Sequence, residues 1–232
     1  MTTLRATIVG AGGLGGPIAL SLGTAGIELV IVDPDSVELS NLHRQIQFTN
    51  VELGQPKAAR LAGSVVARAG VARGVVGRWT TANADELGAD ADVVIDASDD
   101  PETKFAVADW AVASGRCYVI AAALRYGGNV MAGAPGAACY RCLFEEPVEA
   151  ASCADAGVLG PVVGAIGGIA AAVALALARG DRTLAGALLV FEDLRRAPDP
   201  RIVRFAPRAD CPACNRAPVS PFATPIRVAE VH

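Results

Sequence analysis

Three glycines in the order Gly10-x-Gly12-x-x-Gly15 follow directly on an apolar run, Ala6 to Val9, and open a helix-forming stretch that extends through Ala25. Few folds ask the chain to turn so tightly between a strand and a helix. The backbone N–H groups of such a turn, together with the positive end of the helix, favour a phosphate. A second strand-like run, Leu29 to Val32, ends at Asp33, where a carboxylate can accept hydrogen bonds from ribose hydroxyls. The unit is therefore β-turn-α-β and suits a nucleotide. On these residues alone NAD fits as well as ATP.

Strand and helix signals go on alternating. A helix is expected from Gln55-Pro56-Lys57 to about Ala69, with Pro56 suited to the first turn. Ala91 to Ile95 reads as a third core strand ending at Asp96, Thr103 to Ser114 as a helix and Cys117 to Ala122 as a further strand. Short strands at Leu188 to Phe191 and Ile202 to Phe205 can extend the sheet. This spacing predicts an α/β fold: a Rossmann-like, mostly parallel sheet with helices on both faces, extended by C-terminal strands. With 232 residues, 52% of them hydrophobic and 19% charged, one domain over 1–232 with a large core is expected. The proline-bearing stretch from about 217 to 232 should be an extended or poorly ordered tail.

Composition also excludes. A net charge of -4 gives no basic face for nucleic acid. Met1 is followed at once by Thr2, Thr3, Leu4, Arg5 and a strand, which leaves no room for a signal peptide, so a cytoplasmic chain is expected. The uncharged run from Ala156 to Ala178 has the length of a membrane span, but glycines crowd its first half. The expectation is a short helix, Ile169 to Ala178, packed in a soluble core, and no membrane partner.

Residues between and after these elements separate ATP from NAD. Ser40-Asn41-Leu42-His43-Arg44-Gln45, Gly54-Gln55-Pro56-Lys57 and Asp96-Ala97-Ser98-Asp99 have no use in a hydride-transfer enzyme. A triphosphate uses them: Arg44 offers a planar fork for phosphate oxygens, Lys57 a compact charge and Asp99 a carboxylate for magnesium. No His, Tyr-Lys pair or similar acid is placed to serve hydride transfer.

Cys139 and Cys142 form C-x-x-C, and so do Cys211 and Cys214. Two such pairs in a cytoplasmic chain read as a tetrahedral zinc site rather than as disulfides. Four thiolates leave no open coordination position, so the zinc should be structural. Cys117 lies in an apolar strand pattern and should be a small core residue. Cys153 stands apart from both pairs, and the only nearby charges, Glu149 and Asp155, would raise its pKa.

Taken together, these segments resemble the ThiF/MoeB/HesA family, relatives of the ubiquitin-activating enzymes. The matching residues are Gly10 to Gly16, Asp33, Ser40 to Gln45, Gly54 to Lys57, Asp96 to Asp99, both C-x-x-C pairs and Ser152-Cys153-Ala154-Asp155-Ala156-Gly157-Val158. The resemblance covers nearly the whole chain. It implies ATP-dependent adenylylation of the C-terminal glycine carboxylate of a ubiquitin-like sulfur-carrier protein ending in Gly-Gly. It implies that Gly10, Gly12, Gly13, Gly15 and Asp33 bind ATP, that Asn41, Arg44, Gln45 and Lys57 surround its phosphates, and that Asp99 helps hold Mg2+. A homodimer is implied as well. In some members the cysteine at the position of Cys153 bonds covalently to the carrier or exchanges sulfur with a donor protein; in others it is unused.

Two departures stand out. Bacterial relatives usually carry an N-terminal helical stretch whose arginine reaches the phosphates of the dimer partner, whereas here the first strand starts almost at Met1. Arg5, another cation or a different partner is expected in that role, or activity is reduced. Asp100 stands where relatives commonly have Asn and adds negative charge beside Asp99. The alternatives are a non-catalytic, partner-dependent family member and an enzyme that adenylates another carboxylate or a tRNA substrate.

Overall fold

The computed structural model describes residues 3–147 and 157–215. Its frame is an eight-stranded sheet. In chain order the strands are β1 (Arg5–Val9), β2 (Glu28–Asp33), β3 (Ala72–Val76), β4 (Val93–Asp96), β5 (Cys117–Leu124), β6 (Gly127–Gly133), β7 (Ala187–Phe191) and β8 (Arg201–Arg204). The spatial order is β3-β2-β1-β4-β5-β6-β7-β8. The pairs from β3 to β5 are parallel, and β6 to β8 continue as an antiparallel meander. The expected α/β architecture is therefore present, with two strands beyond those read from sequence, β3 and β6.

Alternation along the strands divides the core into two. Ala6, Ile8, Leu29, Ile31, Val93, Ile95, Val119 and Ala121 point to one face, while Val94, Tyr118, Ile120 and Met131 point to the other, as the two-residue period of a strand requires. The first face is covered by α1 (Gly15–Thr24), α2 (Lys57–Val66) and a long helix, Gly160–Ala178. The second is covered by α3 (Ala84–Gly88) and α4 (Pro101–Ala113). There Trp79 and Trp110 meet edge to face at 5.3 Å between ring centres. A one-turn helix, α5 (Tyr140–Leu143), carries the first cysteine pair, and Gly160–Ala178 is α6.

α6 corrects the sequence expectation. The glycine-rich half is helical, so the helix has 19 residues rather than only Ile169 to Ala178, and with a mean hydropathy of 2.2 it is long and apolar enough to cross a membrane by length and composition. Half of its most apolar stretch is buried against the protein. Glycine costs about 1 kcal/mol per residue in a helix interior, and at Gly167 close packing offsets it. A methyl group at Gly167 would stand 3.0 Å from the Leu14 carbonyl and from Pro17 Cβ, so α1 and α6 approach as closely as they do only because that position is bare.

Candidate functional site

Strand order reverses at β1: β2 and β3 lie to one side of it, β4 and β5 to the other. The crevice beyond the carboxyl ends of β1 and β4 is therefore the switch point where open α/β sheets take ligands. Gly10 follows β1 with φ +99°, a conformation that side chains disfavour. A Cβ there would lie 2.9 Å from the Ala97 carbonyl carbon and the Ser98 nitrogen, and one at Gly15 would lie 1.9 Å from the Gly10 carbonyl oxygen. The turn is thus pressed between α1 and the segment that follows β4.

Asp33 closes the turn from the β2 side. One carboxylate oxygen accepts the Ala11 N–H at 2.7 Å and the other the Asp35 N–H at 2.8 Å. Burial pushes its pKa above the ordinary aspartate value, although both backbone donors and the nearby Lys57 charge pull the other way. Lys57 begins α2 and is 5% exposed. Its ammonium meets Asp35 at 3.1 Å, which ties the start of α2 to the end of β2.

The segment after β2 folds back over the turn. Asn41 Oδ1 accepts from Arg44 Nη2 at 2.5 Å, and Asn41 Nδ2 donates to Glu38 at 3.2 Å. A methyl at Gly13 would sit 3.4 Å from the Arg44 carbonyl oxygen, and one at Gly12 would sit 3.5 Å from Gln45 Nε2. Gln45 is 4% exposed, and its Oε1 has no hydrogen-bond partner. Gln47, which the sequence reading passed over, donates its amide to the carbonyls of Ala11 at 3.0 Å and Gly12 at 2.9 Å. With those carbonyls held and the Ala11 N–H taken by Asp33, the N–H groups of Gly12 and Gly13 are left for an anion.

Across the switch point, Asp96 is fully buried at the end of β4. It accepts the Ser98 hydroxyl at 2.6 Å and the Lys104 ammonium at 2.6 Å. Burial pushes its pKa up, against the pull of Lys104 and Ser98. Asp99, next along, is exposed. Asp100 caps α4, accepting the Thr103 N–H at 3.1 Å and the Thr103 hydroxyl at 2.5 Å. The extra negative charge noted in the sequence therefore faces the positive end of a helix, where it is stabilising.

The structure brings Gly10, Gly12, Gly13, Gly15, Asp33, Asn41, Arg44, Gln45, Lys57 and Asp99 to one mouth of the sheet. Arg5 does not join them: it opens β1 at the opposite edge and pairs with Glu28 at 3.2 Å. The whole length of β1 separates it from the turn of its own chain, so any part it takes at the phosphates is across a dimer, as the expectation had it. Cys153 and the tail from 217 to 232 lie outside the described residues.

The four C-x-x-C cysteines converge, with all their sulfurs within 4.8 Å of one another. Cys139 and Cys142 are 3.7 Å apart, Cys139 and Cys211 3.5 Å, and Cys142 and Cys214 3.5 Å. Four thiolates around a tetrahedral zinc with bonds of about 2.3 Å would stand about 3.8 Å apart, so the cluster fits a metal ion. Burial and neighbouring thiols raise the pKa of Cys139 and lift that of Cys214 to about 11. At Cys211 burial acts upward too, but N–H groups of Cys214 and Ala213 prevail and bring it down to about 7. The cluster is anchored to α4 through Arg141, which holds Asp109 at 2.7 and 2.8 Å and lies 4.9 Å over the Phe105 ring.

Fold and mouth together define a doubly wound α/β protein with a glycine turn at its switch point and a four-thiol cluster at its edge. The ThiF family model matches residues 1–213, and the chain belongs to the ThiF family. It is 38% identical to the sulfur carrier protein adenylyltransferase of Thermus thermophilus, over 91% of this chain and 82% of that one. It is also 38% identical to the adenylyltransferase and sulfurtransferase MOCS3 of Caenorhabditis briggsae, over 91% of this chain, and 39% identical to that of Sus scrofa, over 94%. The chain spans 54% and 50% of those two longer relatives. Among solved structures it is similar in fold to E. coli MccB with ATP, at a TM-score of 0.75 and 18% identity over 91% of this chain and 66% of that one. SeMet PaaA shares the fold at a TM-score of 0.69 and 19% identity, over 88% of this chain and 65% of that one.

Proposed function

We propose that this chain transfers AMP from ATP to the C-terminal glycine carboxylate of a ubiquitin-like sulfur-carrier protein. The observation that carries the reading is the likeness to the Thermus sulfur carrier protein adenylyltransferase, which extends over 91% of this chain and 82% of that one. In the reaction a carboxylate oxygen attacks the α-phosphorus and the bond to the β-phosphate oxygen breaks. Pyrophosphate leaves with that electron pair. The carboxylate is already ionised at neutral pH, so no general base is needed. The task is alignment and charge stabilisation.

Asp33 and the glycine turn would hold the nucleotide, with the turn's N–H groups against its phosphates. Arg44, steadied by Asn41, and Lys57 would face the pyrophosphate as it leaves. Lys57 then exchanges Asp35, which is well exposed, for a phosphate. Mg2+ held by Asp99 would supply further neutralisation of phosphate charge. Zn2+ on Cys139, Cys142, Cys211 and Cys214 would be structural. We assign the chain as one adenylation domain and place it in the cytoplasm, a compartment that keeps such a thiol cluster reduced. It would act as a homodimer: Leu39, Ile46 and Val51, between β2 and α2, are 67%, 74% and 84% exposed, a surface that a second copy would cover. Cys153 would take the sulfur-transfer role that some relatives give that position, with a separate sulfur donor protein.

ATP-pyrophosphate exchange with a panel of carriers ending in Gly-Gly tests the reading. Exchange that depends on one carrier, and that is lost in folded Lys57→Ala and Asp99→Ala proteins, is the expected result. Near-normal exchange in both variants would remove the roles given to these residues. No exchange with any carrier, in protein that binds ATP, would remove the substrate.

A further inference from the structure

Beyond the ATP-facing residues, a buried lysine governs the loop that carries Asp99. Lys104 lies on the second turn of α4 and is 8% exposed. All three of its ammonium hydrogens are taken: by Asp96 Oδ2 at 2.6 Å, by the Ser98 carbonyl at 2.6 Å and by the Ala121 carbonyl at 3.0 Å. One cation thus fastens the end of β4 and the middle of β5 to the loop after β4. Ser98 itself is held through both its hydroxyl and its carbonyl. Its hydroxyl donates to Asp96, and its carbonyl accepts from Lys104. Two residues on, Asp100 caps the helix on which Lys104 sits. Asp99 is the one link of this loop whose side chain is left exposed, between two residues that are fixed.

From this closed ring of contacts we propose that Lys104 is a positioning residue: through Ser98 it sets the direction of the Asp99 carboxylate and, by the contact of Ser98 with Gly10, the seat of the phosphate-binding turn. The inference deepens the adenylyltransferase reading and rests on it for the role of Asp99. A lysine that only filled space in the core could be replaced by an isosteric apolar residue with no effect on how Mg2+ and ATP bind together. A positioning lysine could not, whereas arginine, which keeps charge and donors, should substitute.

The test compares Lys104→Met, Lys104→Arg and Asp99→Ala, each checked for folding by thermal melting. Equilibrium binding of ATP is measured by calorimetry in Mg2+ and in chelator, alongside pyrophosphate exchange. We expect Mg2+ to tighten ATP binding to the native protein, and Lys104→Met to lose most of that enhancement, as Asp99→Ala does. Exchange should fall about 100-fold in kcat, the effect of a displacement near 1 Å, while KM for the carrier stays within about twofold, since Lys104 does not touch it. Lys104→Arg should retain the enhancement. If Lys104→Met does not fold, the neutral pair Asp96→Asn/Lys104→Met replaces it with the same expectation. A folded Lys104→Met or neutral pair with the native enhancement overturns the inference, and so does a native protein whose ATP binding is indifferent to Asp99. Absence of carrier-dependent exchange in the native protein would instead refute the adenylyltransferase reading, because the binding measurement judges Lys104 without any carrier.

Discussion

Replacing Gly10 by alanine separates the two constraints on the glycine turn. At φ +99° an alanine is strained by about 1–2 kcal/mol, and the loss of unfolded-state freedom returns about 0.4–1 kcal/mol of it. The new methyl would stand 2.9 Å from the Ala97 carbonyl carbon and the Ser98 nitrogen. These are backbone atoms locked by Lys104 and Asp96, so they cannot swing aside, and overpacking of this kind costs about 1–3 kcal/mol. The total is about 3 kcal/mol, or a fall in Tm of about 6–12 °C for a chain of this size. Gly26 is the control. It has φ +82° at the end of α1 but nothing within 4 Å of its missing Cβ, so Gly26→Ala should cost only the backbone part, about 1 kcal/mol. Urea unfolding and thermal melts of both variants read the difference, expected near 2 kcal/mol. Equal destabilisation would mean that the contact between the turn and the loop after β4 carries no energy, and the close seating of Gly10 on Ser98 would be refuted.

Other outcomes follow from named contacts. Asp100→Ala should cost about 1 kcal/mol by uncapping α4, while Asp100→Asn stays within a few tenths, as read by thermal melting; equal losses would deny the cap. Metal analysis should find one zinc per chain, and removing it with a chelator should lower Tm by several degrees; an unchanged Tm after complete removal would deny the structural role. Glu52 accepts from Arg60 at 2.9 Å and from the Thr49 N–H at 2.8 Å. Burial raises its pKa, but these donors outweigh it and leave the group below 4.5. Stability tied to its charge is thus present above its unfolded value and lost as pH falls through the lower folded value. The gap in urea midpoint between native protein and Glu52→Gln should be widest near pH 7 and shrink below about pH 4.5; a gap constant with pH would refute it.

The parts of the fold legible in the sequence are those whose local pattern and tertiary role agree. The turn from Val9 to Gly15 announces itself because its geometry admits little else, and the C-x-x-C pairs because their spacing is that of a four-thiol cluster. β3 gives no such signal: Arg73 and Gly74 are exposed in a strand that no hydrophobic alternation marks. β6 is hidden for another reason. Its glycines make room for neighbours, as at Gly133, where the Tyr118 ring would lie 2.1 Å from a Cβ, so its strand character comes from β5 and β7 rather than from its own residues. The first half of α6 misleads in the same way, since Gly167 serves the contact with α1 instead of ending the helix. At the candidate site, the residues from Gly10 to Asp99 could be picked out from motifs. Gln47 and Lys104 could not, because a supporting hydrogen bond across the fold leaves no periodic trace along the chain.

The cysteine cluster gives the antiparallel part of the sheet an unusual topology. One pair follows β6 and the other follows β8, so with metal held, residues 143–210 form a closed ring whose clasp lies beside α4. A ring cut once is still one object. A protease that nicks the chain between the pairs should therefore leave a particle of native size, its two fragments joined through the metal, and the break should show only when denaturant and chelator are applied together.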